Sequence, residues 1–126
     1  MKTEIDNVVT LFRPLGRREL ELIRESGFRE FPPRLSQQPF FYPVTNLEYA
    51  TQIARDWNTR DVESGHAGYV LKFAVREEFL KTHPIRQVGD VTHREYWIPA
   101  GELAQFNQHI VGGIEVVAEF HGPATS

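Results

Sequence analysis

Strand-like and helix-like segments follow one another in this chain without regular alternation, and that irregularity constrains the fold most. Residues 8–13 are rich in β-branched and apolar side chains and stop at Pro14, which predicts a first strand. Residues 16–26 carry Leu20, Ile23 and Arg24 at helical spacing, and Gly27 follows where a left-handed C-terminal cap belongs. Residues 31–39 (FPPRLSQQP) hold three of the eight prolines and predict an extended loop. Residues 40–44 (FFYPV) predict a short aromatic strand, with Pro43 at an edge or at its end. Asn46 then reads as a helix N-cap, with Glu48 in the first turn. Leu47, Ala50, Ile53, Ala54 and Trp57 form one helical stripe. A polar loop is expected over 57–68, a strand over 69–75, one helical turn over 77–81 and a strand over 95–98 closed by Pro99. A helix over 99–110, with Leu103, Phe106 and Ile110 inward, would end at Gly112 and Gly113 before a last strand over 114–120. Strict strand–helix alternation would have meant a doubly wound parallel sheet; its absence predicts an α+β fold with a bent, mostly antiparallel sheet.

The 126 residues suit one domain spanning 1–126, and 40% apolar content argues against disorder. Fourteen basic against seventeen acidic residues give a net charge of −3, so the surface is not that of a general polyanion binder. Cysteine is absent, which excludes a disulfide framework, a thiolate zinc site and a cysteine nucleophile. No apolar run approaches the ~18 residues of a membrane span, and residues 1–7 lack the apolar core of a signal peptide. These features predict a cytoplasmic protein without membrane partners, or a toxin delivered by a machine that needs no such signal.

Common chemical signatures are missing. Gly112-Gly113 is too short for a phosphate loop and follows a helix-like segment instead of preceding one. The five histidines are scattered, so no metal site is expected, and no serine sits in a nucleophile elbow. What remains is a distributed set of residues. Arg13, at the end of the first strand, either pairs with a carboxylate such as Glu19 or clamps a phosphate or ribose with its planar fork. Tyr42 alternates with Phe41 and so faces the other side; it is placed to stack on a flat heteroaromatic ligand, with Tyr49 completing the stack. Thr45 and Asn46 lie at a helix N-terminus, which suits anions. Parity puts Glu95 on one strand face with Trp97, while Tyr96 and Ile98 take the other. Glu95 is therefore either a solvent-facing carboxylate or part of a site walled by an aromatic ring.

The order of these residues resembles the ADP-ribosyltransferase fold of bacterial toxins and poly-ADP-ribose polymerases. Over residues 11–120, the stretches LFRPLG, ELELI-ESGF, FPPRL, FYPV-N-EYA-QIA-DWN and EYWIPAGEL-FN-HIVG look like a group of small bacterial proteins described as ADP-ribosylation/crystallin J1. The larger all-helical hydrolases behind the second half of that name use paired aspartates that have no counterpart here. The resemblance implies two short, mostly antiparallel sheets meeting in a cleft, with short flanking helices. It implies NAD as a substrate, Arg13 holding its phosphate or ribose, and Tyr42 with Thr45 and Tyr49 lining the nicotinamide pocket. Glu95 would be catalytic, steadying the cationic ribose as nicotinamide departs. Toxins that modify arginine carry a second glutamate two residues earlier, where this chain has His93, so a different acceptor is implied: another protein group, a nucleic acid or a small molecule. A non-catalytic nucleotide- or protein-binding module on the same fold is the rival expectation. A delivered toxin with a neutralising protein is a further one.

Overall fold

A computed structural model describes residues 7–89 and 93–122. In chain order the elements are β1 (Val8–Leu15), α1 (Arg17–Glu25), β2 (Phe40–Phe41), α2 (Leu47–Asp56), 3-10 turns at Asn58–Arg60 and Val62–Ser64, and β3 (Ala67–Arg76). There follow α3 (Glu77–Leu80), β4 (Ile85–Gln87), β5 (Arg94–Tyr96), β6 (Ile98–Pro99), a 3-10 turn at Ala100–Glu102, α4 (Leu103–Gln108) and β7 (Ile110–His121). The fold is α+β, and every strand ladder among the described residues is antiparallel. The main sheet has the order β1-β3-β7, with two-stranded pairs β2-β6 and β4-β5 beside it. Val44 joins the parts by bridging Phe12 on one side and Glu95 on the other. No helix among the described residues is long and apolar enough to cross a membrane.

Strand periodicity divides the core between the two faces of the main sheet. Tyr69, Leu71, Phe73 and Val75 of β3 pack with Leu11 and Leu15 of β1, Leu20 and Ile23 of α1, Phe31, Phe41 and Phe106. Val70 points the other way and meets Tyr49, Ala50 and Ala54 of α2. Gly68 permits this second layer to sit close, because a Cβ there would stand 2.1 Å from the Ala54 carbonyl oxygen. Asn46 caps α2 as the sequence suggests, its Oδ1 accepting from the Tyr49 N–H at 2.7 Å. Asn46→Ala should cost about 1 kcal/mol of unfolding free energy, read by urea denaturation. A cost below about 0.3 kcal/mol would mean that the cap hydrogen bond contributes little. The Schellman closure of α1 is also as expected: Phe28 N–H bonds Ile23 O, Gly27 N–H bonds Arg24 O, and Gly27 has φ +77°.

Several boundaries differ from the sequence reading. β1 does not stop at Pro14; it continues to Leu15, with Pro14 opposite Val70. The reason is that β1 is an edge strand. Phe12 turns its N–H outward to Val44 O at 2.9 Å, so Pro14, two residues on, lacks its N–H on the same outward side and costs β3 no bond. Gly112 and Gly113 do not end a helix; α4 closes at Gln108 and the glycines lie inside β7. There the register jumps between Lys72 and Ala74, and Gly112 takes φ +79°, the conformation a bulge demands. The bulge frees Ile114 N–H to bond Phe28 O at 2.9 Å, which ties β7 to the segment after α1. Ile110 consequently opens β7 instead of closing a helix, and Pro99 belongs to β6. Of the expected stripe, Leu47 at the start of α2 and Trp57, the residue that caps its C-terminus, are exposed, while Tyr49 is buried. β4, which is exposed throughout, has no apolar alternation to announce it.

Candidate functional site

A cavity of about 830 Å³ opens beside the first core, a volume within the range of small-molecule sites. β1 supplies Arg13, α1 supplies Glu19, and the proline-rich loop supplies Arg34. Tyr42, Val44 and Glu95 form a second wall, and Trp57, Asn58, Asp61 and Ser64 a third. Three of the residues singled out from the sequence, Arg13, Tyr42 and Glu95, thus line one cavity although they come from distant stretches. Thr45 and Tyr49 do not line it. Thr45 is half-buried, with its N–H bonded to Arg94 O at 3.0 Å, at the turn that carries the chain from Val44 into α2.

Arg13 lies on the core face of β1 with Leu11 and Leu15 and is only 9% exposed. A buried guanidinium needs a partner, and Glu19 provides one. Nε and Nη2 of Arg13 donate to the two carboxylate oxygens of Glu19, each at 2.9 Å, in a fork-to-fork pair. Nη1 donates to Tyr42 O at 3.4 Å, and the guanidinium carbon lies 4.7 Å from the Phe41 ring centre. Arg13 is thus paired with Glu19, the first of its two sequence readings, and it also lines the cavity.

Arg34 lies in the proline-rich loop, where no periodicity or motif of the sequence marks it. Its Nε donates to Phe40 O at 3.0 Å and its guanidinium carbon lies 5.9 Å from the Phe41 ring. Burial lowers its pKa from the ordinary arginine value, and the neighbouring Arg13 charge lowers it further, against the opposing pull of Glu19 and Tyr42. Two guanidiniums thus approach one ring, with the Glu19 carboxylate bonded to Arg13, while over the whole lining three arginines (Arg13, Arg18, Arg34) stand against four carboxylates (Glu19, Asp61, Glu63, Glu95).

Glu95 lies on the face parity assigned it. Its Oε2 accepts from Trp97 Nε1 at 2.8 Å and its Oε1 from Tyr49 Oη at 3.0 Å. Two neutral donors on opposite oxygens hold the carboxylate in one orientation. Phe40, Tyr42 and Trp97 form an aromatic group beside it, with Tyr42 and Trp97 perpendicular at 5.8 Å. Tyr49 is not among the residues that line the cavity; it is buried, and its ring lies parallel to His93 at 4.3 Å. Its position is behind Glu95, as a positioning donor.

Burial, the hydrogen bond to Glu95 and the Glu95 charge push the Tyr49 hydroxyl up to about 12. A pKa raised on folding means that the protonated form is favoured in the folded state. The associated stability is complete below the ordinary tyrosine value near 10 and is lost as pH rises towards 12. Tyr49→Phe should therefore weaken the loss of stability between pH 10 and 12, measured by urea unfolding across that window. An unchanged slope would show that another group governs it.

Asn58 and Ser64 also escaped the sequence reading, because polar residues in a polar loop carry no pattern. Both are buried. Asn58 Nδ2 donates to Ser64 Oγ at 2.9 Å, and Ser64 Oγ donates onward to Asp61 Oδ2 at 2.7 Å. Asn58 Oδ1 is shielded from solvent and has no hydrogen-bond partner among the described residues, a state that costs roughly 1–3 kcal/mol. Among the described residues, no group of three or more His, Asp or Glu side chains is placed to hold a metal ion. No protein family, curated protein or solved structure matches this chain.

Proposed function

We propose that the cavity takes NAD as a substrate and that the protein is an ADP-ribosyltransferase-like enzyme, on a fold whose small sheets frame the cleft. The observation that carries this reading is the meeting of Arg13, Tyr42 and Glu95 at one cavity of about 830 Å³. Arg13 and Arg34 hold the diphosphate. Two of the five guanidinium donors of Arg13 go to Glu19 and one to Tyr42, so two stay available for an oxyanion. Tyr42, set perpendicular to Trp97, offers a ring edge or face to nicotinamide.

In the reaction the bond between the ribose C1 and the nicotinamide nitrogen breaks, and its electron pair leaves with nicotinamide. The ribose becomes cationic at C1. Glu95, already oriented by Tyr49 and Trp97, stabilises that charge without reorganising. The acceptor nucleophile then bonds to C1 and loses a proton. The acceptor is a protein group, a nucleic acid or a small molecule, and a toxin role would add a neutralising protein. We place the protein in the cytoplasm. A second reading, a non-catalytic nucleotide-binding module, is favoured by one observation: the fork by which Glu19 occupies Arg13.

The test is calorimetry with NAD together with an assay for free nicotinamide. Arg13→Ala should weaken NAD binding by about 1.5–3 kcal/mol, the scale of a charge-assisted hydrogen bond. Because that change strands Glu19, the Arg13→Ala/Glu19→Ala double variant should show a similar loss. Undiminished NAD affinity in both folded variants would remove Arg13 from the site. Nicotinamide release by the parent supports the enzyme; binding without release supports the module.

A further inference from the structure

We infer that Arg86, on the exposed strand β4, is a positioning residue for Glu95 and acts through the indole of Trp97. The register of β4 with β5 sets Arg86 directly opposite Glu95. Opposite residues of an antiparallel pair project to one face, and Trp97, two residues after Glu95, shares that face. The contacts follow from this geometry. The guanidinium carbon of Arg86 lies 4.6 Å from the centre of the Trp97 ring, and Trp97 Nε1 donates to Glu95 Oε2 at 2.8 Å.

Trp97 needs such support. Its backbone falls between β5, which ends at Tyr96, and β6, which begins at Ile98. There the chain leaves its pairing with β4 and takes up pairing with β2, and residue 97 belongs to neither register. The indole is held by what packs on it. Phe40 and Tyr42 lie 5.6 and 5.8 Å away, centre to centre, and Arg86 adds a contact from β4. A cation over the ring also draws electron density from the indole, which makes Nε1–H a stronger donor to the carboxylate. Tyr49 holds the other oxygen from α2, so Glu95 is fixed from α2 and, through Trp97, from β4. Glu95 lines the cavity, whereas Arg86 and Trp97 are not among its lining residues, so Arg86 is placed to act on the carboxylate and not on a ligand. The effect on catalysis rests on the function proposed above; the effect on the Trp97–Glu95 hydrogen bond does not.

The first measurement needs no reaction. The chain has two tryptophans, so its nuclear magnetic resonance spectrum carries two indole N–H signals, and the one that remains in Trp57→Phe belongs to Trp97. Arg86→Ala should speed exchange of that N–H with solvent about two- to fivefold, the scale of an exposed cation–π contact. Arg86 is exposed, so the variant should fold, and an unmoved Trp57 signal checks it. In Glu95→Ala, where there is no hydrogen bond to lose, the same substitution should change the exchange rate little. The second measurement is nicotinamide release with NAD affinity by calorimetry. Arg86→Ala should lower kcat about two- to fivefold and leave the affinity unchanged. In the Glu95→Gln background it should cost less, because the charge it steadies is gone. An unchanged indole exchange rate overturns the inference. So does an equal acceleration in the Glu95→Ala protein, which would mean that Arg86 merely shades the ring. An equal loss of kcat in the two backgrounds overturns it, as does a weakened NAD affinity, which would put Arg86 on the ligand. If the parent releases no nicotinamide, the enzyme proposed above is defeated, and the exchange rates alone decide whether Arg86 holds Glu95.

Discussion

Glu95→Gln should bind NAD about as well as the parent and lose roughly 10²–10³ in the rate of nicotinamide release, the loss expected when one preorganised electrostatic group is removed. The substitution keeps the shape and removes the charge. It also suits the surrounding hydrogen bonds. Trp97 Nε1 can only donate, so the Gln oxygen turns to it, and the new amide N–H₂ can donate to the Tyr49 oxygen. The side chain should therefore stay in place, and the loss would report charge and not position. Losing an interaction made only with the cationic transition state lowers turnover and kcat/KM together while leaving affinity unchanged. The readouts are free nicotinamide against time and NAD affinity by calorimetry on the same samples. Equal turnover in parent and variant would make Glu95 a structural carboxylate of the β5 segment and take the catalytic assignment with it.

Phe31→Ala should lower unfolding stability by about 3–5 kcal/mol, the range for emptying a buried phenylalanine site. Phe31 belongs to no helix or strand, yet it is 1% exposed. Its ring packs 4.9 Å from Phe41, 4.8 Å from Phe73 and 6.3 Å from Phe106, centre to centre. Its backbone is clamped as well: Asn107 Oδ1 accepts from Phe31 N–H at 2.9 Å and Asn107 Nδ2 donates to Phe31 O at 3.0 Å. The residue thus fastens the start of the loop whose next members, Pro32, Pro33 and Arg34, line the cavity. Stability and site are coupled here, and the Phe31→Ala protein should also lose part of the affinity that Arg34 provides. Urea unfolding gives the first quantity. A cost under about 1 kcal/mol would show that the loop collapses into the space and that Phe31 anchors nothing.

Local chemistry was legible in the sequence where its cause lies within a few residues. The Asn46 cap, the Gly27 closure of α1 and the alternation that pairs Glu95 with Trp97 all depend on neighbours one to five positions away, and all three stand in the structure. The α+β class followed from the order of such segments. Arg13 was legible only as two alternatives, since a strand-end arginine near a glutamate reads the same whether or not a cavity lies beside it.

The rest depended on partners that are remote in the chain. Whether Gly112 ends a helix or makes a bulge is decided by β3, which pairs with β7 and needs the extra residue there. Whether Pro14 breaks β1 is decided by which side of the strand is the sheet edge. Arg34 and Asn58 acquire their settings from Phe41 and Ser64, and Tyr49 is taken out of the cavity by Glu95 and His93. Sequence periodicity determines which face a side chain takes, because that geometry is intrinsic to the backbone. What waits on that face is set by long-range packing, and so the composition of the cavity wall was decided by the tertiary structure alone.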